Sequence, residues 1–260
     1  MKCLSAGAVL LSAVLLSGIA ESQETGSVPP IVTDRPDVTE SSIVVPEASF
    51  QLENGITWTD DHGVGAVDAA ETLVRYGLSA RTELRLVTPN YSTNFTQLNA
   101  PSGFGDVAIG MKQQIGPLWK NFELSVIAAL SLPTGANRIS SHGFDPFIKF
   151  PWSREFGSGW SIGGMQSLFW NTLSGKRDLV WEPTFMAEKE ITEPWSVFVE
   201  YAGDFAQIGG SKQMAHFGTA YRITPRQQID AHFGFGVSPA APSHFFAVGY
   251  SIRIDRRPQR

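Results

Sequence analysis

The side chains in this chain best placed to do chemistry are ionisable groups that return on one side of alternating stretches. Glu53, Glu71, Arg75, Glu83, Arg85, Asp106, Lys112, Glu123, Lys149, Glu182, Glu200, Arg222 and Asp230 each stand on the polar side of such a stretch. Such groups can cross-pair as an ion network or line a wet passage, and both uses fit. The two signs are interspersed, so no strong anion or cation filter is expected. Covalent chemistry is poorly supported. A Ser–His pair on one strand needs a spacing of two to share a face, and none of the 5 histidines has a serine two residues on. Ser141-His142 and Ser243-His244 are adjacent, which sends them to opposite faces. The chain is therefore read as a non-enzyme. The histidines are scattered and the only cysteine is Cys3, so no metal site and no cofactor is expected. Asp60-Asp61-His62 reads as a solvated acidic loop, and Gly103-Phe104-Gly105 lacks the Gly-Lys-Ser/Thr of a phosphate loop.

The elements that must carry these groups are strands. In the closing segment His244, Phe246, Val248, Tyr250, Ile252 and Ile254 take one face. Ser243, Ala247, Gly249, Ser251 and Arg253 take the other, with Phe245 as the exception. Side chains repeat every two residues along a strand, so one wall is apolar and the other polar. The pattern recurs in about twelve segments between Phe50 and Ile254, separated by alternately longer and shorter connections. Longer ones are expected near 59–69, 89–103, 133–144, 171–178, 204–212 and 238–243. A tight turn at Ser79-Ala80 would set Arg75 roughly opposite Glu83.

Only 17% of the 260 residues are charged and the net charge is -5, which argues against a nucleic-acid surface. Residues 1–20 read as a secretory signal peptide: Lys2, an apolar stretch from Ala6 to Leu16, then Gly18-Ile19-Ala20. No later run approaches the length of a spanning helix, so a membrane crossing requires a barrel. A mid-depth Lys or Arg on the lipid face would cost about 2–4 kcal/mol, so the strand charges should point inward. The expected fold is all-β, an antiparallel transmembrane β-barrel over 46–254, with a short tail at 255–260. Residues 21–45 differ in kind, since Pro29, Pro30 and Pro36 deny them a regular ladder. They form either a tail or a strap that enters the periplasmic mouth, with Asp34, Arg35, Asp37 and Glu40 facing the interior charges.

Several short motifs, weak singly, stand in a telling order. They are Thr33-Asp34-Arg35-Pro36-Asp37 with Thr39-Glu40; Gln51-Leu52-Glu53-Asn54-Gly55; and Arg75-Tyr76-Gly77-Leu78 leading to Glu83-Leu84-Arg85. Then come Gly103-Phe104-Gly105-Asp106 with Lys112, Ser131-Leu132-Pro133-Thr134-Gly135, and Phe233-Gly234-Phe235-Gly236. In this arrangement the chain resembles the MetA-pathway-of-phenol-degradation family of outer-membrane barrels, over roughly 31–254. The resemblance implies a barrel and a role in moving small, often aromatic or apolar, compounds; it brings no catalytic residue. The expectation is thus a channel or uptake protein in the outer membrane of a Gram-negative-type bacterium, with lipid and a small solute as partners. The competing expectations are a lumen-filled structural or ligand-binding barrel without transport and, further off, a lipid-modifying enzyme with a Ser–His–acid cluster at its rim.

Overall fold

Apolar side chains point out of this molecule and charged ones point in, the reverse of a soluble core. Phe50, Val199 and Ile254 are 53%, 59% and 64% exposed, whereas Glu53, Arg75, Glu83 and Lys112 are 0% exposed. The computed structural model describes residues 29–96, 100–119, 121–208 and 210–256. The expected signal peptide and the end of the expected tail, 257–260, lie outside the described residues.

Fifteen strand segments form one antiparallel sheet. They are β1 (Phe50–Asp61), β2 (Val64–Ala69), β3 (Leu73–Ser79), β4 (Thr82–Val87), β5 (Tyr91–Asn94), β6 (Gly103–Phe104), β7 (Val107–Gln114) and β8 (Phe122–Leu132). There follow β9 (Asp145–Phe156), β10 (Trp160–Leu173), β11 (Lys176–Thr192), β12 (Trp195–Ala206), β13 (Ser211–Thr224), β14 (Gln227–Gly236) and β15 (His244–Ile254). Three pairs share a wall position: β2 prolongs β3, β5 prolongs β4 and β6 prolongs β7, because β1 pairs with both β2 and β3 while β2 pairs onward to β5. The wall therefore has 12 strands. It closes where β1 meets β15, from Phe50 opposite Ile254 to Asp60 opposite His244, so the wall forms a complete ring.

Two expectations about connections are corrected. The stretches 59–69 and 171–178 are not loops but hairpins that continue the ladder beyond the apolar band. His62-Gly63 (φ +54 and +87) and Ser174-Gly175 (φ +50 and +75) supply the left-handed residue pairs that a two-residue turn needs. Alternation fades in these strand ends, where small and polar residues such as Gly65, Ala66, Asp60, Asp61, Asn171 and Thr172 replace the large apolar ones. Among the described residues irregular connections remain at 133–144 and 237–243. Second, the β3–β4 register sets Arg75 opposite Arg85 and Glu83 opposite Gly77, so Arg75 and Glu83 are diagonal neighbours. The turn residues are Ala80-Arg81, one later than expected, and a register shift between Gly77 and Ser79 moves the pairing.

Prolines also mark the wall. The β8–β9 ladder skips Ser125–Val126 opposite Pro151, and the β11–β12 ladder skips Glu182–Pro183. Proline has no N–H to donate, so each interruption sits where a ladder bond cannot form.

Candidate functional site

Residues 29–47 run inside the barrel, entering and leaving at the end with the short turns. Entry is fixed by Ile31 N–H donating to the Pro225 carbonyl and by Arg253 donating to the carbonyls of Pro29 and Pro30. The exit is a bridge from Glu47 to Gly77 beside β3. Buried backbone groups need partners, and a segment with this many prolines cannot find them in a ladder. Inward side chains of the wall supply them. Glu53 accepts the Asp34 N–H at 2.8 Å, and Glu200 accepts those of Val38 and Thr39 at 2.9 and 2.7 Å. Glu83 accepts the Val45 N–H at 2.8 Å. In the other direction Arg75 donates to the carbonyls of Val32 and Ile43, Lys112 to Ser41 and Ser125 to Ser42. The wall carboxylates and cations thus act as a ladder made of side chains.

At its centre is a charge cluster. Arg75 uses all five N–H donors: two on Glu83, one on Glu53 at 2.9 Å, and one each on the two carbonyls. Glu83 accepts from Arg75 twice, from Arg85 at 2.7 Å and from the Val45 amide. Asp34 of the strap fills the middle, 2.6 Å from Arg85, 2.9 Å from Lys112 and 3.4 Å from Arg75. Glu40 bridges Arg85 and Lys149, one carboxylate oxygen to each at 2.6 Å. Four acids (Asp34, Glu40, Glu53, Glu83) thereby face four bases (Arg75, Arg85, Lys112, Lys149). That balance is what lets so many charges leave water together.

A second group forms around Arg35. It donates to Glu71 at 2.8 Å and lies 3.6 Å from Asp230. Gly55 and Gly249 pair across the barrel seam and make the niche: a Cβ on Gly55 would fall 2.3 Å from the guanidinium, and one on Gly249 2.5 Å from its Nε. Glu71 belongs to this group and not to the Arg75 cluster, since it sits in the bend between β2 and β3 and reaches Thr57 and Arg35.

Other expected site residues are dispersed. Asp106 accepts the N–H groups of Gly135 and Ser141 and so anchors the 133–144 loop. Glu123 meets Gln114, Glu182 meets Ser167, and Arg222 donates to the Glu193 carbonyl in a short turn. Asp37 borders a cavity of about 510 Å³ between the strap and β9–β14, which also takes in Glu155, Glu188 and Glu190.

Residues not singled out from sequence also take part. Thr39, Ser42 and Ser125 hold the strap, and Ser42 Oγ lies 2.7 Å from Ser153 Oγ. The inward parity of Ser125 was readable, but nothing in its type separated it from solvated strand residues, and Thr39 and Ser42 lie on the strap, where no strand parity applies. Besides Phe198, which lines the cavity, inward phenylalanines in two further places stand apart from the polar wall. Phe147 and Phe169 pair at 5.4 Å between ring centroids, with Lys149 Nζ 5.6 and 5.5 Å from the two rings. Phe245 packs edge-on against His216 and His232 at 5.1 and 4.9 Å.

At the long-loop end His62 Nδ1 lies 3.1 Å from Ser243 Oγ, a pairing invisible within any single strand. Asp61 approaches the same nitrogen at 3.8 Å, while Nε2 faces the Pro239 carbonyl. A triad needs base and acid contacts on opposite ring nitrogens, so this arrangement is not one. Among the described residues no group of three or more His, Cys, Asp or Glu side chains could hold a metal ion.

A closed antiparallel barrel with an apolar exterior and a polar interior defines an outer-membrane β-barrel protein. The chain belongs to the family described as "Putative MetA-pathway of phenol degradation", whose model matches residues 33–254 and so takes in the strap. Among solved structures it is similar to an outer membrane channel from Pseudomonas putida F1, with a TM-score of 0.68 and 13% identity over 85% of this chain and 99% of that one. It is also similar to the NanC porin (TM-score 0.55, 13% identity, 79% and 100% covered) and the KdgM porin (0.52, 7%, 78% and 98%). No curated protein matches the chain.

Proposed function

We infer that this barrel is an outer-membrane channel for small apolar or aromatic solutes, closed at rest by the strap and without catalytic activity. The observation that carries the reading is the aromatic patch of Phe147 and Phe169 on the inner wall, directly beside a strap held by side chains alone for most of its length. A lumen meant only to be filled has no use for a separate segment whose amides and carbonyls are held largely by titratable side chains of the wall. Outer-membrane barrels keep their short turns on the periplasmic side, so the strap enters from the periplasm and the phenylalanines face a solute arriving from outside. The family and the channel and porin folds it resembles agree with transport.

A filled barrel without transport is the second reading, favoured by the dryness of Arg75, Glu53, Glu83 and Lys112. Deleting residues 31–45 separates the two. A channel should show higher single-channel conductance in planar bilayers while still assembling, as judged by heat-modifiable migration on a denaturing gel. Unchanged conductance in an assembled deletion variant would leave the filled barrel.

A further inference from the structure

The charge cluster is dry except at one margin. Lys149 and Glu40 are 15% and 14% exposed at the side chain, against 0% for Arg75, Glu53, Glu83 and Lys112. At this margin two cations, Arg85 and Lys149, converge on a single carboxylate, that of Glu40, each taking one oxygen. The rings of Phe147 and Phe169 flank the same lysine. Strand β9 descends from the 133–144 loop, so Phe147 lies nearer the long-loop mouth than Lys149, with Phe169 opposite it on β10. A molecule entering from that mouth meets the rings first and the cations second.

We propose that Arg85, Lys149, Phe147 and Phe169 form a receiving site for an aromatic carboxylate, and that Glu40 of the strap occupies the carboxylate position until such a solute displaces it. This rests on the channel reading above and names its solute class. The exchange swaps one carboxylate for another, so neither cation is left unpaired and the local charge is unchanged. The released Glu40 already borders the 510 Å³ cavity, where its carboxylate can be hydrated. The ring stacks on Phe147 and Phe169 while the two carboxylate oxygens take the Arg85 and Lys149 donors. A neutral aromatic can stack but has no charge with which to replace Glu40, and acetate can replace Glu40 but has no ring. Glu40 is one of the strap's ties to β4 and β9, so its release loosens the strap as the solute arrives.

The test is conductance of the full mature chain in planar bilayers, titrated from the long-loop side with benzoate, acetate or benzyl alcohol. Benzoate should raise the current, half-maximally at a concentration about tenfold below that needed for acetate, the order expected of one aromatic stacking contact. Lys149→Met should abolish the benzoate response, with assembly checked by heat-modifiable migration. If that variant does not assemble, Phe147→Leu with Phe169→Leu should bring benzoate down to the level of acetate. Glu40→Gln should raise the current before any solute is added. Equal responses to benzoate and acetate, or to benzoate and benzyl alcohol, overturn the receiving site but leave the channel standing. A strap-deleted barrel that passes none of the three overturns the channel as well.

Discussion

Arg75 is the residue on which most of the strap's docking converges, because five fixed donors meet two wall carboxylates and two strap carbonyls. Removing it leaves Glu53 and Glu83 buried without their main counter-charge. Breaking a buried pair from one side typically costs about 3–5 kcal/mol. Arg75→Met should therefore lower the temperature at which the folded band converts to the unfolded one, and Asp61→Ala, on an exposed outer turn, should not. Arg75→Lys should resemble Arg75→Met, since three rotating donors cannot span the same four groups. Gly55 offers a complementary change. A methyl there collides only with the end of the flexible Arg35 side chain, not with backbone. Gly55→Ala should leave barrel assembly intact while raising conductance, and a native current would mean that the Arg35 niche does not hold the strap. At this scale the sequence was legible in part. The parity of Arg75, Glu83, Arg85 and Lys112 followed from alternation, and Asp34 was among four strap charges set against the interior, but its selection as their shared partner depends on a chain path no local pattern encodes.

Strands were the readable elements, and they were readable because lipid on one side and polar groups on the other enforce a period of two. The β15 pattern from His244 to Ile254 matches its ladder with β1 residue for residue. Legibility failed where small and polar residues leave no apolar stripe to alternate, so β2, β5 and the end of β1 read as loop. It also failed at the β3–β4 turn: a turn one residue later than expected and a one-residue shift between Gly77 and Ser79 together set Arg75 opposite Arg85, with Glu83 diagonal to it. A pH prediction belongs to the end of β15. Burial pushes the Asp255 carboxyl up, but hydrogen bonds from Arg253 and Arg226 outweigh it and hold the group below the ordinary carboxylate range. A depressed carboxyl contributes stability above its unfolded value, about 3.9, and loses it as pH falls through the folded one. Asp255→Asn should thus cost about 1 kcal/mol at neutral pH, with the difference from the native chain vanishing in strong acid. Because Arg253 also holds Pro29 and Pro30, the same variant should loosen the strap's entry. A pH-independent difference in unfolding would argue against the ion pair as its cause.

For the whole molecule the decisive question is whether strap and wall move relative to each other. Two serines allow this to be asked directly. Ser42 on the strap and Ser153 on β9 place their hydroxyl oxygens 2.7 Å apart, and Cys3 is the only native cysteine. In a chain beginning at residue 21, Ser42→Cys with Ser153→Cys offers one intramolecular disulfide and no competing partner. Hydroxyl oxygens this close bring the two Cβ atoms near the separation a disulfide needs. The tie lies just past Glu40, so it restrains the part of the strap that must leave the lumen for a path to open. If the strap gates the channel, the oxidised variant should stay at the low native conductance even in the presence of a solute that opens the native chain. Reduction should restore the response in the same membrane. Each single-cysteine variant should respond as the native chain does, which separates locking from loss of the serines. An oxidised double variant that opens as readily as the reduced one would show that the strap stays in place during conduction, and that solute passes beside it.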